Sequence, residues 1–124
     1  MNKLNEIFGE IISSYSRKQA LEDGFLHEVP KNLCKEAGFV YPVAITNSIA
    51  VIIEETLKKN DVYDYEGILW DILSVLKYAI RRSPGGDRVN FTVKIGRKNI
   101  SMYSTVTGGD NGEPVITIML PNED

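Results

Sequence analysis

The chain has 124 residues and a mass of 13.9 kDa, an amount of sequence that suits one domain (residues 1–124) and argues against a multidomain machine. Its 43% hydrophobic and 25% charged residues are those of a globular protein able to bury a core, which excludes disorder as a global state. Fourteen Lys and Arg against seventeen Asp and Glu leave a formal net charge of −3, the wrong sign for a protein held on nucleic acid by net charge.

The N-terminal stretch MNKLNEIFGEIISSYSR is interrupted by Asn5, Glu6 and Glu10 before any apolar run reaches signal-peptide length. No later run approaches the roughly eighteen residues that span a bilayer, so no membrane association and a cytoplasmic location are expected. Ser16 precedes RKQALED, with Gln19 three residues on, and this capping-box spacing predicts a short helix. Gly24 suits its left-handed C′ position. FLHEV then reads as a brief extended segment, and Pro30 opens a second short helix, KNLCKEAG, that Gly38 ends.

Two longer helices follow. Thr46 is the expected N-cap of NSIAVIIEETLKKN, in which Ile49, Ile52, Ile53 and Leu57 recur at helical spacing. From Asp64 to Arg82 the residues Ile68, Leu69, Ile72, Val75, Leu76, Ala79 and Ile80 repeat at intervals of three and four until Ser-Pro-Gly-Gly breaks the run. After that break the period becomes two. Val89, Phe91, Val93 and Ile95 alternate with Arg88, Asn90, Thr92 and Lys94, a strand with one dry face. Asn99 to Val106 returns as a second strand, TGGDNGE forms a loop, and PVITIML is a third strand that is apolar on both sides. The predicted fold is therefore α+β, with two short and two longer helices packed on a C-terminal three-stranded antiparallel β-meander. Because PVITIML needs cover on both faces, a homodimer is an expected source of that cover.

Cys34 and His27 are the only residues of their types. They can build neither an intrachain disulfide nor a zinc site, so a reducing compartment and no metal are expected. His27 reads as a half-buried strand residue and Cys34 as part of the core. Phosphate-loop and dinucleotide fingerprints are missing, so no cofactor is expected. Trp70, with Tyr65, reads as a core or interface anchor or as a stacking surface.

Three polar clusters remain as candidate chemistry. Between Arg81 and Gly109 six bases (Arg81, Arg82, Arg88, Lys94, Arg97, Lys98) face one acid, Asp87. If Arg82, Arg88 and Lys94 share a side they can clamp phosphates; as solvated residues they would guard a sheet edge instead. In the loop Thr107–Pro114, Asp110 and Glu113 are paired carboxylates suited to acid, base or cation chemistry, although a plain turn explains the same letters. In Ser13–Gln19, hydroxyls, Tyr15 and Arg17 gather at a helix start.

The stretches ISSYSRKQALEDG, EAGFVYPVAIT, GILWDIL, AIRR and GDNGEPVITIMLPNED together resemble an uncharacterised family of small proteins scattered through bacterial plasmids and prophages. The resemblance covers nearly the whole chain and brings no catalytic residues. It implies a short accessory protein of a mobile element, for which blocking a host defence protein or its nucleotide signal is a frequent role. The family-like polar positions include Tyr15, Arg17, Gln19, Asp23, Trp70, Asp71, Arg81, Arg82, Asp110 and Glu113, and the terminal Glu123 and Asp124 suggest an end tucked against the body.

The leading expectation is a non-enzymatic binding or inhibitor protein that acts on a host protein or a phosphorylated, nucleotide-like ligand through Tyr15, Arg17, Gln19, Arg81, Arg82, Asp110 and Glu113. The alternative is a small hydrolase or transferase that uses Asp110 and Glu113 with arginine charge stabilisation. Sequence-specific DNA binding is weaker, because neither long helix is rich in Arg, Asn and Gln.

Overall fold

The computed structural model describes residues 16–83, 85 and 88–123. Four helices and five strands are found there: α1 (Arg17–Glu22), β1 (Leu26–Glu28), α2 (Lys31–Glu36), β2 (Val43–Thr46), α3 (Asn47–Lys59), α4 (Tyr65–Arg82), β3 (Arg88–Ile95), β4 (Lys98–Gly108) and β5 (Pro114–Met119).

The helix boundaries follow their caps. The Ser16 hydroxyl accepts the Gln19 amide at 2.9 Å and starts α1, and Gly24 takes φ +80 just beyond its end, where a side chain would strain the backbone. Pro30 is the N-cap of α2 rather than its first residue, a shift of one position. Asp64 caps α4 by accepting the Gly67 amide at 2.6 Å. The long helices bury the faces their periodicity marks: Ile49 and Ile53 of α3 and Ile72, Leu73 and Leu76 of α4 are essentially inaccessible. Burying each of these side chains contributes about 1.5–3 kcal/mol.

The sheet differs from the expected one. The antiparallel β3–β4–β5 meander is present, but the sheet has five strands in the order β1-β2-β5-β4-β3 and is mixed. The three-stranded meander is thus corrected to a larger sheet. β2 runs parallel to β5, with Val43, Ala44 and Ile45 opposite Ile116, Thr117 and Ile118, and β1 pairs antiparallel to β2. The pairing is non-local, so no turn between the two strands announces it. β5 is consequently interior to the sheet. Val115, Ile116 and Ile118 are all buried within one chain, so their cover requires no second subunit.

Strand parity assigns the two faces. Phe91, Val93, Ile95, Met102, Ile116, Ile118, Val43 and Ile45 join the helices in one core. On the opposite face, the registers align Glu28, Ala44, Thr117, Thr105 and Arg88 in one transverse row across all five strands. Glu123 fastens the end of the described chain: its Oε1 accepts from the Thr46 hydroxyl at 2.8 Å and the Leu120 amide at 2.9 Å, and its carbonyl accepts from the Tyr103 hydroxyl.

Candidate functional site

The first helix and the glycine-rich loop meet. The loop between β4 and β5 closes on itself through the Gly109 amide, which donates to the Glu113 carbonyl at 2.6 Å, and through the Asn111 amide, which donates to Glu113 Oε2 at 3.1 Å. This closure projects Asp110 at the start of α1. Its Oδ1 and Oδ2 accept the Arg17 and Lys18 amides at 2.7 and 3.1 Å. A helix start leaves amides without intrahelical partners and carries partial positive charge, so a carboxylate there is stabilised twice over.

The Arg17 side chain turns away from that carboxylate and onto the sheet. Its Nη1 donates to Thr117 Oγ1 and its Nη2 to the Ile116 carbonyl, both at 3.0 Å. Burial lowers the pKa of this guanidinium, while the negative charges of Glu28, Asp110 and Glu113 oppose the shift. Two donors spent on fixed oxygens of β5 make Arg17 a clasp between α1 and the sheet. Gln19 lies exposed on α1, and Tyr15 lies outside the described residues.

The basic island is divided. Arg81, Arg82 and Arg88 stand at one end of β3 and Lys94, Arg97 and Lys98 at the other. Lys94 lies six positions beyond Arg88 along β3, roughly 20 Å at about 3.3 Å per residue. The two share a face by parity, yet no single phosphate reaches both, so the three-residue clamp of Arg82, Arg88 and Lys94 does not form.

Arg82 and Arg88 line one open cleft of about 490 Å³ with Tyr78, Asn90 and Phe91, where the last turns of α4 lie against the edge strand β3. The Arg82 Nη1 donates to the Tyr78 hydroxyl at 3.2 Å, and its guanidinium lies 5.3 Å from that ring. Arg88 packs 3.7 Å from the centre of the Tyr103 ring and donates from Nε to Asn90 Oδ1 at 3.4 Å. Both cations are thus held by aromatic and amide groups, contacts that position a guanidinium without neutralising it. Tyr78 is 60% exposed and offers a ring at the cleft mouth.

By sequence, Arg82 is a candidate site residue and Arg88 belongs to the basic island, whereas Asn90 and Phe91 read only as strand residues and Tyr78 carries no assignment. The usable signal was the four-residue spacing of Tyr78 and Arg82, which sets them side by side on a helix. Trp70 is 40% exposed on α4, outside the core. His27 Nε2 and Asn47 Oδ1 form a hydrogen bond at 2.9 Å. Cys34 is buried, with its thiol directed at the Val29 carbonyl, and burial pushes its pKa up. Among the described residues no three His, Cys, Asp or Glu side chains converge as a metal site, and no helix is long and apolar enough to cross a membrane.

These features define a small α+β protein with a mixed five-stranded sheet and an arginine-lined cleft at one sheet edge. The chain belongs to a family of unknown function, DUF6573, whose model matches residues 1–124. No curated protein and no solved structure matches it.

Proposed function

We propose that the protein is a binding protein without catalysis of its own, and that it takes a phosphate-bearing small ligand in the cleft between α4 and β3. The observation that carries this reading is that Arg82 and Arg88, from two different elements, line one open cleft, each guanidinium packed on an aromatic ring. Guanidinium groups bind phosphate oxygens through paired, directional hydrogen bonds, and the exposed Tyr78 ring adds a stacking surface for a base. A phosphorylated signal captured in this way fits the accessory role in a mobile element, acting in the cytoplasm against a host defence, that the sequence resemblance implies.

The hydrolase or transferase reading has less support. Both Asp110 oxygens accept main-chain amides, and the Arg17 guanidinium is engaged on β5. These groups have structural work that accounts for their position.

Titration with pyrophosphate and with a nucleoside diphosphate, followed by calorimetry and by the Arg82 and Arg88 side-chain resonances, tests the proposal. Saturable binding that weakens with salt is expected, with a loss of roughly tenfold or more in Arg82→Ala and in Arg88→Ala and little change in Lys94→Ala. Equal affinity in the double arginine variant, or no binding of either probe, would overturn it.

A further inference from the structure

The other end of β3 carries a second cleft of different chemistry. It holds about 500 Å³ between the C-terminal half of α3 and the β3–β4 turn, within the range of small-molecule sites. Its apolar lining is Ile52, Ile95, Ile100 and Tyr63. Its rim carries Lys59, Arg97 and Lys98 against one acid, Glu55.

Two observations describe what this cleft offers a ligand. First, two of its polar side-chain atoms are already engaged within the protein. The Thr56 hydroxyl donates to the Ile52 carbonyl at 2.9 Å, and Asn60 Oδ1 accepts the Val62 amide at 3.0 Å. Ile52, Ile95 and Ile100 give the floor a mainly hydrocarbon surface, and the rim cations are the main charged donors. Second, the wall is closely packed at the turn. Gly96 sits in the turn at φ +62, so close to α3 that a Cβ there would lie 3.1 Å from Thr56 Cγ2. A cleft shaped before binding loses less entropy when a ligand enters.

We infer that this cleft binds an amphiphilic organic anion, a carboxylate on an apolar body such as an acyl chain. The chain lies on Ile52, Ile95 and Ile100, and the carboxylate meets Arg97 and Lys98 at the rim. The aliphatic floor disfavours a nucleotide, whose polar groups would be left unpaired on it. The excess of rim cations disfavours a neutral or cationic amphiphile of the same length. The site is separate from the arginine cleft and does not depend on the reading given for it.

Decanoate below its micellar concentration is the probe, with decanol and acetate as the neutral and chainless arms. Decanoate is expected to shift the methyl resonances of Ile52, Ile95 and Ile100 saturably, and acetate to leave them in place. Arg97 and Lys98 are exposed, so Arg97→Ala/Lys98→Ala is expected to keep the unfolding midpoint while weakening decanoate roughly tenfold or more. Lys98→Glu provides a second variant with the same expected direction. Arg82→Ala/Arg88→Ala is expected to bind decanoate normally, which separates this site from the phosphate cleft. Absence of the methyl shifts, equal binding of decanol, or unchanged affinity in both rim variants would overturn the inference.

Discussion

The main-chain amide of Arg17 donates to Oδ1 of Asp110 across 2.7 Å, joining residues 93 positions apart. The neighbouring Lys18 amide takes the other carboxylate oxygen at 3.1 Å. A six-residue helix is too short to persist alone, and the β4–β5 loop supplies the cap that its own sequence completes only in part through Ser16. The same residue's side chain then clasps β5, so α1 is held to the sheet from both its backbone and its guanidinium.

Asp110→Ala is expected to destabilise the protein by about 1 kcal/mol, the usual loss for a capping side chain. Asp110→Asn retains an accepting oxygen and is expected to lose less. Urea unfolding at unchanged slope measures both, and the Arg17 and Lys18 amides should exchange faster with solvent in the alanine variant. Equal stability of Asp110→Ala and the parent would count against the capping role.

The Arg17–Thr117 contact is testable as a pair. Arg17→Met and Thr117→Val each remove one partner, and a double-mutant cycle is expected to return a coupling of about 0.5–1.5 kcal/mol. A coupling indistinguishable from zero would mean that the Arg17–Thr117 hydrogen bond adds nothing to stability.

Gly96→Ala adds a methyl group to a residue at φ +62 and places it 3.1 Å from Thr56 Cγ2. The left-handed conformation alone costs about 1–2 kcal/mol for an L side chain. A fall in stability of at least that size is expected in thermal or chemical unfolding, whereas a neutral outcome would show that the turn relaxes freely.

Stability is expected to decline on the alkaline side. Burial raises the pKa of the Cys34 thiol above 9.0, and burial, assisted by the charge of Glu54, raises that of the Tyr65 phenol above 10.0. In both cases the folded chain holds its proton at a pH where the unfolded chain has released it. Stability is therefore intact below the ordinary thiol value and falls as pH rises through the folded values. Unfolding midpoints measured from pH 7 upward should show this decline, with a shallower first stage in Cys34→Ala. An identical slope in that variant would remove the thiol from the account.

Local patterns carried most of the secondary structure. The three-and-four spacing from Ile68 to Ile80 and the alternation from Arg88 to Ile95 are statements about single elements, and neighbouring side chains determine them. The Ser16 and Gly24 signals worked for the same reason, since a cap is a contact within a few residues. β2 was not legible. Val43–Thr46 is four residues long, and its assignment depends on a parallel partner more than seventy positions away. A short apolar segment has no period of its own to show that it lies inside a sheet.

The charge pattern divides in the same way. Composition determined the negative total, and the linear order of residues determined that Arg81 to Lys98 is locally basic. Only the tertiary structure decided that this island serves two places. An extended strand carries its two ends roughly 20 Å apart, so bases that adjoin in sequence part company. A helix end brings Arg82 to the cleft that Arg88 lines, while α3 brings its apolar wall to Arg97 and Lys98. Charge in sequence is a sum along a line; which charges act together depends on how the strand and helices fold that line in space.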